Sequence, residues 1–252
     1  MREQKALYKY CLRMGDNALI LSYRLSEWCS NAPILEEDLA LTNFALDMTG
    51  RTQALLAYAG KTDGHGKRED DLAYRRGERS FYNNLLMELP NGDFANTMAR
   101  QLFIAAFEFY FFSELQHSAD RTLAAIAAKT LKEVKYHLAH ATDWVLRLGD
   151  GTEESHARMQ SAIDNLWMYT GELFETDEVD ILLLEKGIAA DMSLVKPAWR
   201  QQIEKVLAEA TLTLPKDEYM QTGSRKGIHT EYLGHILTEM QYLQRSYPEA
   251  IW

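Results

Sequence analysis

Two four-residue strings place an acid where a helix could turn it toward a metal: Asp47-Met48-Thr49-Gly50 and Glu133-Val134-Lys135-Tyr136. Helical bundles that hold a pair of irons take one Glu from each of two helices and a Glu-x-x-His from each of the other two. The spacing puts acid and imidazole on one helical face, a turn apart. Here each string keeps an acid and lacks the histidine, with Gly50 in one and Tyr136 in the other. Asp16, Asp47, Glu108, Glu133 and His137 therefore read as the remnant of a metal site. A chain that keeps such helices and loses such ligands is expected to support a catalyst, with no catalytic residue and no metal ligand of its own.

Each remnant residue also has a metal-free reading. Asp47 has Arg51 four residues on, a favourable helical pair. Glu108 is the sole charge in the apolar run Leu102 to Phe112, so it should be buried, and a buried carboxylate must be paired, protonated or metal-bound. Glu133, His137, His140 and Trp144 form a polar flank beside the apolar stripe Leu123, Ala127, Leu131, Val134, Leu138, Ala141, Val145 and Leu148. If the acids crowd one region, Arg13, Arg51 or Lys135 could neutralise them, or a proton could. Two literal Glu-x-x-His matches, Glu114 to His117 and Glu153 to His156, fall at predicted helix ends rather than mid-bundle.

The elements that must position these residues are helices. Apolar periodicity predicts long helices at about 3–29, 34–60, 94–118 and 120–148, and shorter ones near 70–88, 152–174, 193–210 and 229–247. Breakers sit between them: Ser30-Asn31-Ala32-Pro33, Gly60 to Gly66, Pro90-Asn91-Gly92-Asp93 and Gly149-Asp150-Gly151-Thr152. No linker or fixed-period repeat divides the chain, so 1–252 reads as a single all-α domain, a ferritin-like bundle of long helices with additional shorter ones.

Composition narrows the function. A formal net charge of -10 argues against a nucleic-acid scaffold, which needs a basic footprint. The charged stretch 1–10 has no apolar leader, and no run reaches the roughly 20 apolar residues of a membrane span, so a cytoplasmic chain is expected. Cys11 and Cys29, read on one helix, would lie about 27 Å apart, too far for a disulfide. Neither a Gly-x-Gly-x-x-Gly after a strand nor a Walker loop is present.

Longer strings carry a family resemblance. Leu12-Arg13-Met14-Gly15-Asp16-Asn17, Ser26-Glu27-Trp28-Cys29, Leu89-Pro90-Asn91-Gly92-Asp93-Phe94, Lys132-Glu133-Val134-Lys135-Tyr136-His137-Leu138 and Leu148-Gly149-Asp150-Gly151-Thr152 resemble the C subunits of bacterial phenylacetyl-CoA epoxidases. Thr222-Gly223-Ser224-Arg225-Lys226-Gly227-Ile228-His229-Thr230-Glu231 and Glu239-Met240-Gln241-Tyr242-Leu243-Gln244-Arg245 extend the likeness over almost the whole chain.

The resemblance implies a ferritin-like, non-catalytic member of a multicomponent oxygenase in aerobic phenylacetate degradation. The di-iron centre then lies in a catalytic A subunit, which epoxidises the ring of phenylacetyl-CoA with electrons delivered by a reductase. No cofactor is expected in this chain. Arg225 and Lys226, in the one compact basic loop, become candidate contacts for that partner or for coenzyme A phosphates. The competing readings are a di-iron oxygenase active by itself on nonstandard ligands such as Glu133 and His137, and a ferritin-like binding or storage protein working alone.

Overall fold

The computed structural model describes residues 3–250. In chain order the α-helices are α1 (Glu3–Ser26), α2 (Leu35–Asp63), α3 (Glu69–Tyr74), α4 (Leu85–Glu88), α5 (Phe94–Leu115), α6 (Arg121–Gly149), α7 (Glu153–Trp167), α8 (Glu178–Glu185), α9 (Met192–Glu209), α10 (Glu231–Met240) and α11 (Tyr242–Ser246). No strand occurs among the described residues, and the fold class is all-α, four long helices with shorter ones, as a ferritin-like chain requires. No described helix is long and apolar enough to cross a membrane. Two compact units emerge, residues 3–90 with 222–250, and residues 91–221.

In the first unit α1 and α2 form an antiparallel hairpin. Gly15 lies so close to α2 that a Cβ would stand 2.6 Å from Leu56 Cδ2, while Gly64 at the far end of α2 lies near Gln4. On α2, Leu41, Phe44, Met48, Thr52, Leu55 and Ala59 are buried at steps of three and four, and α1 buries Leu12, Leu19, Ile20 and Leu25. Acids in the first turn of α2, Glu36, Glu37 and Asp38, suit its N-terminal dipole, and Gly64 in the left-handed region ends it. Cys29 lies beyond the end of α1, which stops at Ser26; it is exposed, Cys11 is buried, and no disulfide joins the two.

The predicted helix over 70–88 is not there. The segment breaks into α3, a 3-10 turn at Glu78–Ser80 and α4, with extended backbone at Gly77 and Phe81. Its apolar residues, Leu72, Phe81, Leu85 and Leu86, are buried individually rather than as one stripe.

In the second unit α5 and α6 form another antiparallel pair, with Phe94 at the start of α5 edge-on to Trp144 near the end of α6, centroids 4.9 Å apart. α5 is buried on nearly every side and carries α7 and α9 as well as α6. Side-chain caps set the starts: Asp93 accepts from the Asn96 amide, Asp120 from those of Thr122 and Leu123, and Asp191 from that of Ser193. The expected helix at 152–174 ends at Trp167 and resumes as a 3-10 turn at Gly171–Phe174, while α8 was not anticipated.

Candidate functional site

Asp16 sits mid-way along α1 with no exposed surface. The guanidinium of Arg76 grips both its oxygens, Nη1 donating to Oδ2 at 3.0 Å and Nη2 to Oδ1, and the Tyr82 amide donates to Oδ2 at 3.0 Å. Arg76 itself lies 4.2 Å from the Phe81 ring centroid and donates to the Ser80 carbonyl at 2.7 Å. Burial pushes the Asp16 carboxyl above its ordinary range, opposed by the charge and hydrogen bonds of Arg76, the Tyr82 amide and the charge of His229. The cation that neutralises Asp16 is thus Arg76, not the Arg13, Arg51 or Lys135 suggested by sequence. Arg76 follows α3, in the stretch misread as one helix.

A second buried acid adjoins this one in the same unit. Glu88, fully buried, accepts from Asn83 Nδ2 at 2.8 Å, His229 Nδ1 at 2.9 Å, the Thr230 amide at 2.7 Å and the Thr230 hydroxyl at 2.8 Å. His229 Nε2 faces the Phe81 carbonyl at 2.9 Å. With Glu88 as a carboxylate, an acceptor faces each ring nitrogen of His229, so both nitrogens are placed to donate. Arg24 of α1 donates from Nε and Nη2 to the Glu88 carbonyl at 3.0 and 2.8 Å, and Asn17 exchanges hydrogen bonds with Asn84 at 2.9 and 2.7 Å. Chain segments far apart in sequence are thereby bound to α1.

Sequence reasoning missed Glu88 and His229. A signal existed: Glu88 is the only charge in Leu85-Leu86-Met87-Glu88-Leu89, the argument that singled out Glu108. Chemically the network is closed, since its acids already accept what a ligand would have to offer.

The other remnant residues divide by face. Glu108 on α5 is buried, as its apolar surroundings required, and Asp47 on α2 is half-buried. On α6 the buried stripe runs Leu123, Ala127, Thr130, Val134, His137, Ala141 and Val145, so His137 belongs to the inward face and not to its flank. Glu133 is half-buried with Lys129 Nζ at 3.7 Å. Tyr136 is 59% exposed, and a Cβ at Gly50 would meet nothing within 4 Å, so the third residue after each acid looks outward. The inward residues are one further along, Arg51 and His137. Among the described residues of either unit no group of three or more His, Cys, Asp or Glu is placed to share a metal ion.

Two further sequence features have local explanations. His156 turns its Nδ1 to the Gly149 carbonyl at 2.7 Å, meeting the last turn of α6, and His117 is exposed beyond α5. The basic loop is a 3-10 turn at Ser224–Lys226 between Gly223 and Gly227, with Arg79 Nη1 donating to the Gly227 carbonyl at 3.2 Å. Arg225 is half-buried and Lys226 exposed.

The family model described as "Phenylacetic acid catabolic protein" matches residues 1–252. The chain belongs to that family. It is similar to the Escherichia coli (strain K12) protein named as the C subunit of 1,2-phenylacetyl-CoA epoxidase, 50% identical over 246 residues that make up 98% of this chain and 99% of that one. In this chain a buried Asp16–Arg76 pair and a Glu88–His229 pair occupy the interior of the first unit.

Proposed function

We propose that this chain is the non-catalytic subunit of a multicomponent di-iron oxygenase that epoxidises the ring of phenylacetyl-CoA. In this reading it stabilises a catalytic A subunit that holds the irons, and a reductase supplies electrons. The observation that carries the reading is end-to-end similarity, 50% identical across 98% of the chain, to a protein named as one subunit of such an epoxidase. The residues add support of a different kind. A carboxylate-bridged iron pair needs free carboxylates and two inward imidazoles. Here Asp16 is committed to Arg76 and Tyr82, Gly50 offers no side chain, and Tyr136 points out. These residues do not fit the group, and no reaction step is assigned to them.

The test is co-expression with the catalytic homologue, followed by metal analysis of each separated chain. The expected result is a stable hetero-oligomer burying more than about 2,000 Å², with iron in the partner only. Two irons per copy of this chain together with turnover of the thioester by the isolated chain would overturn the proposal in favour of a self-sufficient oxygenase. Separate species at micromolar concentration would overturn the subunit role.

A further inference from the structure

A helix that lines a core on one side normally meets water with charged and polar residues on the other. The outer face of α2 departs from that rule. Opposite the buried Leu41, Phe44, Met48 and Leu55 stand Leu35, Leu39, Asn43, Leu46, Gly50 and Gln53, at steps of three and four and with no charge among them. The three leucines are 71%, 56% and 63% exposed. On a chain of net charge -10, five turns of helix thus offer aliphatic carbon to solvent where ionised side chains are expected. Gly50 leaves a gap in this strip, since a Cβ there would meet nothing within 4 Å.

The order of residues along the strip says what can cover it. A two-fold axis passing between Thr42 and Asn43 lays a second α2 antiparallel on the first, and the helical rise then fixes which residues meet. Leu39 faces Leu46 of the second copy, and each Leu35 reaches the gap at Gly50 on the other chain. Asn43 comes beside its own copy near the axis, where a polar residue in an apolar seam fixes register. The strip is therefore complementary to itself in shape, leucine against leucine and leucine against gap. It is complementary in charge as well, since neither side brings an ion that the other must neutralise; a charged partner surface would strand its ions against leucine. The strip measures roughly 28 Å by 10 Å, near the lower end of the apolar patches that mark contacts. It falls short of the roughly 800 Å² per partner of a standard interface, so the pairing it supports is reversible rather than permanent.

We propose that the chain pairs with a second copy of itself through the outer faces of α2, packed antiparallel about a two-fold axis near residues 42–43. The pairing goes beyond the subunit role proposed above and is tested on the full-length chain without its partner, so either idea can fail alone. Sedimentation equilibrium should show monomer and dimer exchanging between about 1 and 100 μM. Leu39→Glu and Leu46→Lys should each weaken the dimer at least about tenfold, by setting an unpaired charge against leucine. The double variant carrying both changes should recover most of that loss, because antiparallel pairing sets each new acid against a new base. A parallel pairing would instead set like charges together and deepen the loss. Both leucines are exposed, so melting of the dilute chain should match the native chain in every variant. A monomer persisting at about 100 μM, single variants that dimerise as the native chain does, or a double variant no better than the singles would each overturn the pairing. So would single variants that keep self-association and lose association with the catalytic homologue, which would give the strip to that partner.

Discussion

At the scale of single residues, the strongest constraint in the first unit is the Glu88–His229 pair, because both side chains are fully buried. Removing one partner of such a pair strands the other charge, which typically costs about 3 to 5 kcal/mol. Glu88→Gln is therefore expected to lower the urea midpoint sharply. Lys226→Ala, exposed and three residues from His229, should move it by less than about 0.5 kcal/mol. Near-equal midpoints for the two variants would mean that the pair contributes little. Tyr23 gives a second prediction at this scale. Burial, then its hydrogen bond to Glu239 and that carboxylate's charge, push its hydroxyl from an ordinary 10.0 up to about 12. A pKa raised by folding means that the contribution to stability is complete below about pH 10 and is lost as pH rises through about 12. Ultraviolet titration of the native chain against Tyr23→Phe should show one tyrosinate missing only near that upper value. A difference that develops by pH 10.0 would refute the assignment. Residue-level legibility was uneven for a physical reason. Burial of Glu108 could be read because apolar neighbours on every side of a helix force it, whereas Arg76 reaches Asp16 across 60 residues that no local pattern links.

At the scale of elements, α2 contains its own control experiment. Gly50 lies inside the helix with open space where a Cβ would go, while at Gly60 a Cβ would overlap the carbonyl oxygen of Lys67. Alanine in a helix interior is favoured over glycine by about 0.5 to 1 kcal/mol. Gly50→Ala should therefore raise the melting temperature, and Gly60→Ala should lower it, because backbone cannot move aside as a side chain can. If both substitutions shift melting in the same direction, the close approach at Gly60 is not a constraint. The long helices were legible because a stripe of three- and four-residue steps has no other explanation over 20 or more residues. The 69–88 region was not, since its buried residues answer to Glu88 and Asp16 rather than to one another. For α6 the period was right and the phase was off by part of a turn, which moved His137 from the flank to the buried face.

At the scale of the molecule, a net charge of -10 makes the basic turn at Ser224–Lys226 an exception that a partner could read. The turn is held in place: Arg79 donates to the Gly227 carbonyl, and Thr230, three residues on, caps α10 while its hydroxyl donates to Glu88. A pre-positioned cation loses little freedom on binding, so its charge goes into attraction and orientation rather than ordering. Lys226 is the exposed member and Arg225 the half-buried one, so they separate electrostatic from packing effects. For the proposed assembly with a catalytic homologue, Lys226→Ala should weaken association at low salt and match the native chain at high salt, where exposed charges are screened. Arg225→Ala should weaken association at both, through lost packing as well as lost charge. Fluorescence-detected titration of the two proteins across ionic strength measures this directly. If association is unchanged by either substitution while the Michaelis constant of the assembled enzyme for the thioester rises, the loop meets coenzyme A phosphates instead. If neither quantity moves, the turn serves only to seat Thr230 and His229 on Glu88.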